Sequence, residues 1–308
     1  MSQLSKKLVL IDSLYDQYDL AHRSFSGTVF KSMVKCRTTN MLYRALRKAH
    51  LSSPLIGKKA WLGDWCNDLE EVNTIILADG GNSENVARYI HSLYPDKRII
   101  IWYRNSVEFT GKPSNDIVDI CEIWSFDQAD CKRYGYRFNP QFYGGNSAYQ
   151  TRDTEWDVFF IGQDKGRLTQ LLEIEERLTK IGLITKFCIV GYNSDYLSYE
   201  KVIEYISRTR SILDVQAEWQ DGITLRPLEA LFYSKKLITN SKAFSESELY
   251  YAPNTFLVGI DDWTDIATFA RKPYSIPENH DYLMRKYGIE GWLERFDEEF
   301  DTSEGTVK

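Results

Sequence analysis

Short apolar runs rich in β-branched residues recur along the chain. KLVLID (7–12), TIILADG (74–80), RIIIWYRN (98–105) and EIWSFD (122–127) come first. After a break, DVFFIG (157–162), KFCIVG (186–191), SILDVQ (211–216), KLIT (236–239) and TFLVG (255–259) follow. Several are apolar at consecutive positions. Strands covered on both faces read this way, because neither face must be wetted. Helical periodicity fills the intervals. NSENVARYIHSL (82–93) opens on a cap-like Asn-Ser and repeats Val86, Ile90 and Leu93; over 167–181, Leu168, Leu171, Leu172, Leu178 and Ile181 make one stripe. The alternation predicts an α/β chain of two Rossmann-like, doubly wound domains facing across a cleft.

The stretch NPQFYGGNSAYQTRDT (139–154) separates the two sets of strands with a proline, paired glycines and polar residues, and reads as a linker. It divides the chain into an N-terminal domain (1–150) and a C-terminal domain (151–275). A last segment, 276–308, holds a predicted helix over 279–296 (Tyr282, Leu283, Trp292, Leu293, Phe296), expected to pack back on the N-terminal domain, and an acidic tail. Ligands of doubly wound sheets lie outside the C-terminal strand ends, which puts the expected site between the domains.

Composition changes this picture only at the N-terminus. Apolar residues make up 43% and charged residues 27%, ordinary for a globular chain. No apolar run has the roughly 18 residues of a membrane span. The first residues break at Asp12 and read as a strand, not a signal peptide. Five cysteines, odd in number and without C-x-x-C spacing, argue against a disulfide framework or zinc site and for a reducing cytoplasm. Residues 1–60, however, carry eleven Lys or Arg against three acids, while the whole chain is at −6. Within them, KSMVKCRTTNMLYRALRKAH (31–50) sets Met41, Leu42, Ala45, Leu46 and Ala49 in one stripe, away from part of which Arg44, Arg47 and Lys48 face. Such a helix either packs its stripe on the sheet or rests on an anionic membrane surface. Contact with a membrane through basic residues 31–59 is one expectation. Nucleic acid is not, since the rest of the chain is acidic and no recognisable module appears.

Two spots could carry chemistry. GQDKGR (162–167) follows a strand and opens a helix. Gly162 and Gly166 allow close backbone approach, the helix N-terminus offers N–H groups, and Lys165 and Arg167 add charge, a reasonable cradle for a diphosphate. DGITLRPLE (221–229) runs from a strand end into a helix that tolerates Pro227 in its first turn. Asp221 and Gly222 lie in the loop, Thr224 and Arg226 follow, and Glu229 falls near the helix N-terminus. Both acids are then expected to point into one cleft, where a carboxylate can hold a ribose diol. As an alternative, Glu229 caps its helix and Asp221 shapes a turn.

Together the two spots resemble a known arrangement. The D-x7-E spacing of Asp221 and Glu229 is similar to the E-x7-E motif of retaining GT-B glycosyltransferases, with aspartate replacing the first glutamate. EALFYSKKLITNS and FFIGQDKGRL resemble the C-terminal domain of small bacterial transferases of capsule, lipopolysaccharide and exopolysaccharide synthesis. The resemblance is specific over 157–260 and architectural before it. It implies a hexosyltransferase that takes a nucleotide-diphosphate sugar, with a UDP-sugar as the expected donor, and retains the anomeric configuration. It implies that Glu229 holds the donor ribose, that Asp221 and Gly222 approach the donor sugar, and that Lys165 and Arg167 meet the diphosphate. Arg226 is a further candidate that the motif does not assign. Fixed cations can stabilise the leaving diphosphate, and the chain has no D-x-D triplet, so no metal and no other cofactor is expected. The acceptor, a glycan or lipid-linked glycan, is expected at the N-terminal strand ends: Asp12 and Ser13, Gly80 and Gly81, Arg104 and Asn105. Gly80 and Gly81 serve equally as an ordinary turn. His22 and His91 receive no role as general base. The implied location is the cytoplasm, with peripheral contact at the inner face of the membrane. Alternatives on the same fold are a nucleotide-sugar epimerase, a CMP-sugar transferase and a non-catalytic partner subunit.

Overall fold

The computed structural model describes residues 6–11, 25, 27–36, 38, 40–145, 153–216 and 222–297. The predicted Asp12, Ser13 and Asp221, His22 and the acidic tail lie outside them.

The first domain holds strands β1 (Lys7–Leu10), β2 (Thr28–Lys31), β3 (Thr74–Ala78), β4 (Arg98–Tyr103), β5 (Glu122–Ser125) and β6 (Arg137–Phe138). Its helices are α1 (Met41–Ser52), α2 (Ser83–Leu93), α3 (Val107–Thr110), α4 (Asn115–Ile120) and α5 (Gln128–Tyr134). The strands form one parallel sheet in the order β2-β1-β3-β4-β5-β6, with Lys7 opposite both Thr28 and Thr74, and Thr74 opposite Arg98. The second domain holds β7 (Trp156–Gln163), β8 (Thr185–Val190), β9 (Thr209–Asp214), β10 (Lys236–Thr239) and β11 (Thr255–Leu257), with α6 (Leu168–Lys180), α7 (Tyr199–Ser207), α8 (Leu225–Phe232), α9 (Lys242–Ser245) and α10 (Ile266–Arg271). Its sheet is also parallel, in the order β11-β10-β9-β7-β8. The expected pair of doubly wound sheets is present. In each, the strand order reverses once, beside β1 and β3 in the first domain and beside β7 and β9 in the second.

Consecutive apolar positions explain the packing. In the first sheet, Leu8, Leu10, Ile75, Leu77, Ile99 and Ile101 enter one core, while Val9, Ile76, Ile100 and Trp102 enter the other. Successive strand side chains point to opposite faces, so an uninterrupted apolar run fills both. The second face is covered from far along the chain. The single helix expected over 279–296 is two, α11 (His280–Tyr287) and α12 (Ile289–Arg295). They break at Gly288, where the backbone is extended and an added Cβ would lie 2.8 Å from the Met284 carbonyl oxygen. Tyr143 of the linker pairs its backbone there, its N–H donating to the Tyr287 carbonyl at 2.7 Å. Beyond the break, Ile289, Trp292, Leu293 and Phe296 pack on Phe30, Trp102 and Trp124 of the first sheet, while Leu283 and Tyr287 of α11 belong to a core of the second domain. The Asn139 side chain fastens the crossing, donating to the Trp292 carbonyl at 3.0 Å and accepting from Arg295 at 2.7 Å. Among the described residues no helix is long and apolar enough to cross a membrane.

Candidate functional site

Both predicted spots sit at the strand reversal of the second sheet, one after β7 and the other after β9. The chain leaves β7 through Asp164, turns with positive φ at Lys165 (48°) and Gly166 (81°), and enters α6 after Arg167. The turn directs Lys165 across the cleft, its Nζ 6.0 Å from the centroid of the Phe109 ring in α3. Arg167 folds back instead. Its Nη2 donates to the Gln163 carbonyl at 3.2 Å and would lie 3.0 Å from a Cβ added to Gly162. A side chain at 162 would displace the guanidinium. The helix N-terminus is less open than the sequence suggests, because Asp164 Oδ1 accepts from the Leu168 N–H at 2.7 Å. The turn therefore offers the charged side chains of Lys165 and Arg167 more than free N–H groups.

After β9, Thr224 begins α8, its hydroxyl accepting from the Arg226 N–H at 3.3 Å, and Pro227 takes the third helical position. Glu229 then turns inward. It is fully buried; Oε1 accepts from the Tyr199 hydroxyl at 3.0 Å, and Oε2 is paired with Arg226. Both carboxylate oxygens thus face partners within the domain. The reason is its place in the helix: three residues after Arg226 it shares that side of α8, and α7 closes over it with Tyr199. Burial pushes the Glu229 carboxyl up, opposed by Arg226. Burial works to lower the Arg226 guanidinium, but the charge and hydrogen bond of Glu229 together with the charges of Tyr199 and Asp214 outweigh it, and the net direction is up.

Asp214, which the sequence reading missed, anchors the group. It ends β9 buried, accepting from Thr224 Oγ1 at 3.1 Å and Thr239 Oγ1 at 3.3 Å, and its charge acts on both Arg167 and Arg226. An acid inside the apolar run SILDVQ was the available signal, since a buried carboxylate needs partners. Tyr199 gave no such sign. Lys165 is lowered by burial and by the neighbouring Arg167; Arg167 is lowered by burial and Arg226, against the pull of Asp214. A bound anion would counter both shifts.

The loop after β9 also meets the first domain. A Cβ on Gly222 would lie 2.3 Å from the Phe126 ring, so only glycine allows this approach. From Gly222 and Ile223 an open groove of about 1070 Å³ runs between the domains, past Phe126, Lys132 and Phe138 on one side and Glu246 on the other. On the N-terminal side, Gly80 accepts a turn bond from the Ser83 N–H at 3.1 Å, while added Cβ atoms at Gly80 or Gly81 would meet no described atom within 4 Å. Arg104 is half-buried and Asn105 exposed. They hold the buried Asp79, Arg104 Nε reaching Oδ1 and Asn105 Nδ2 reaching Oδ2, each at 3.1 Å. His91 lies in the last turn of α2, away from these groups in sequence and given no partner in them. Among the described residues no group of three or more His, Cys, Asp or Glu is placed to hold a metal ion.

No protein-family model matches the chain, and no curated protein matches it. Solved structures do. AviGT4, a glycosyltransferase involved in avilamycin A biosynthesis, superposes with a TM-score of 0.54 at 12% identity, over 94% of this chain and 96% of that one. Sucrose-phosphate synthase from Thermosynechococcus elongatus gives 0.49 at 11% identity, over 94% and 87%. A Listeria monocytogenes protein provisionally named UDP-N-acetylglucosamine 2-epimerase gives 0.44 at 10% identity, over the full length of both. At such identities the likeness concerns the fold. The chain has the two-domain GT-B fold seen in AviGT4.

Proposed function

We propose that the chain is a glycosyltransferase that moves a hexosyl group from a nucleotide-diphosphate sugar, a UDP-sugar in the first instance, to a glycan acceptor. The observation that carries this reading is the pair Lys165 and Arg167, two cations set at the turn after β7, at the strand reversal of a GT-B cleft, the first exposed and reaching toward Phe109 and the second half-buried. The diphosphate lies against them. As the bond from the anomeric carbon to the diphosphate breaks, negative charge grows on the leaving oxygen, and fixed cations stabilise it without reorganising. An acceptor hydroxyl forms the new glycosidic bond and passes its proton to the leaving diphosphate oxygen. Asp221 and Gly222 flank the donor sugar, and retention of configuration follows the motif. Arg226 joins the cationic wall, and Glu229 acts through it as a positioning residue, not as the ribose ligand. The acceptor enters along the groove beside Gly222, and the Gly80–Gly81 turn is assigned to it as a second contact. A lipid-linked acceptor of bacterial surface-polysaccharide synthesis suits a chain working at the cytoplasmic face of a membrane.

A panel of UDP-, GDP-, dTDP- and CMP-sugars, scored by thermal stabilisation, tests the donor site, because a ligand of the native state raises apparent stability. A UDP-sugar is expected to raise Tm, and Lys165→Ala to abolish that rise without lowering the Tm of the free protein. Stabilisation by no nucleotide, or an unchanged response in Lys165→Ala, sinks the assignment. Conversion of the donor alone into another sugar nucleotide identifies an epimerase instead.

A further inference from the structure

Helices on the outside of a domain normally turn their apolar stripe inward. α1 does the reverse. At 3.6 residues per turn, Met41, Leu42, Ala45, Leu46 and Ala49 fall on one half of the helix, centred near Ala45 and Ala49. All five are exposed, Met41 by 82%, Leu42 by 70% and Leu46 by 56%. The inward side is held by Arg47 and Leu51, both buried; Arg47 Nη1 donates to the Cys36 carbonyl at 2.7 Å and Leu51 enters the core beside Val34 and Leu62. The helix is firmly set in this orientation. Asn40 caps it by accepting from the Tyr43 N–H at 3.0 Å. The following loop extends the apolar surface with Leu55, 63% exposed, and Ile56, 93% exposed. That loop is tied back to α1 through His50, whose Nε2 lies 3.0 Å from the Ile56 carbonyl oxygen while Nδ1 accepts from Trp61 Nε1 at 2.6 Å.

Charge decides what covers this surface. The sequence has no Asp or Glu between Asp19 and Asp64, and eight Lys or Arg between 31 and 59. Arg44 and Lys48 flank the apolar face along one edge of α1, and Lys58 and Lys59 follow the loop. Lys31 is paired with Asp64 and Asp68, but no carboxylate among the described residues pairs with Arg44, Lys48, Lys58 or Lys59.

We infer that α1 and the Leu55–Ile56 loop form a docking surface for an anionic lipid bilayer. Such a leaflet supplies both layers that the surface asks for, acyl chains for Met41, Leu42, Leu46, Leu55 and Ile56, and negative headgroups for the cations at their rim. A second copy meeting this face with its own α1 offers the same cations and no acid opposite them, so symmetric self-association here sets like charges together. Nothing in this surface depends on the donor site, so vesicle binding and nucleotide binding fail independently.

The test uses the full chain and sedimentation with vesicles of phosphatidylcholine alone or with phosphatidylglycerol added. Binding to the anionic vesicles is expected, weakened by salt and weaker by about tenfold or more on neutral vesicles. Leu46→Asp with Ile56→Asp removes the apolar contact, and Arg44→Glu with Lys48→Glu removes the charge. Either pair is expected to release the protein from vesicles by about tenfold or more while Tm and nucleotide-induced stabilisation stay as in the wild type, because all four side chains are solvent-facing. No binding to anionic vesicles, equal binding to neutral ones, or binding unaffected by both variants overturns the inference. So does concentration-dependent dimerisation lost in Leu46→Asp without vesicle binding, which assigns the face to a second copy.

Discussion

The two sheets reverse their strand order at corresponding places, yet the polar groups gathered there differ in kind. In the C-terminal domain, Tyr199, Glu229 and Arg226 bond one another, the buried Asp214 accepts from Thr224 and Thr239 beside them, and Lys165 and Arg167 stand at the turn before them. In the N-terminal domain, the described part of the reversal holds one buried acid, Asp79, with Arg104 and Asn105 on it and a glycine turn beside it. One end presents preset cations backed by a network. The other presents open backbone and one satisfied carboxylate. A charged, uniform ligand portion such as a diphosphate suits the first, and a neutral, many-hydroxyl portion such as a glycan suits the second, since placed charges bind anions and open backbone groups bind hydroxyls.

The largest expected break in this contrast comes from Glu229. Its removal in Glu229→Ala leaves Arg226 in the interior without its carboxylate, at a cost on the order of 3 kcal/mol of stability, together with loss of donor binding. Denaturant unfolding and nucleotide titration read the two effects. Replacing both partners, Arg226→Met with Glu229→Leu, is expected to restore most of the stability but not the binding. If Glu229→Ala folds as well as the wild type and loses only ribose recognition, Glu229 is a ligand after all and the network is incidental.

Next in size is Lys165. Its charge-assisted bond to a phosphate is worth about 1.5–3 kcal/mol, so Lys165→Ala should weaken UDP binding by roughly 10- to 150-fold with little change in unfolding. Its lowered pKa adds a pH signature. Binding needs the protonated amine, so affinity holds at neutral pH and falls as pH rises through a value below that of an ordinary lysine. Lys165→Arg moves that loss to higher pH. Arg104→Ala, on the other side of the cleft, is expected to leave UDP affinity and its pH profile untouched.

Much of this contrast was readable before the structure. Strands filled on both faces follow from consecutive apolar residues, and so the two parallel sheets were legible. Three things were not. β6 has only two residues and β2, alternately buried and exposed, lacks the consecutive apolar run that marks its neighbours; both sit at sheet edges. The break at Gly288 depends on Tyr143, a contact from the far side of the linker. Above all, DGITLRPLE does not reveal which way a carboxylate at the first turns of α8 will face. That is decided by Tyr199, thirty positions earlier. The same limit applied to α1: its stripe is obvious in sequence, but its direction is set by Arg47 and Leu51 finding partners inside.

The smallest expected effect comes from the glycine turn and sharpens the contrast most finely. Gly81 does not need the left-handed region, and a Cβ there meets no described atom within 4 Å. Gly81→Ala should therefore change unfolding by no more than about 0.5 kcal/mol and leave UDP affinity unchanged. A glycan hydroxyl brought close to this backbone would nevertheless feel the added methyl, so the acceptor KM is expected to rise a few-fold, about 1 kcal/mol, with kcat and donor KM constant. Gly222→Ala supplies the opposite control. Its Cβ would fall 2.3 Å from the Phe126 ring, and the displaced loop should disturb donor and acceptor steps together. An acceptor KM unmoved by Gly81→Ala reduces the turn to a connection between β3 and α2, and leaves the groove beside Gly222 as the place where the acceptor must be sought.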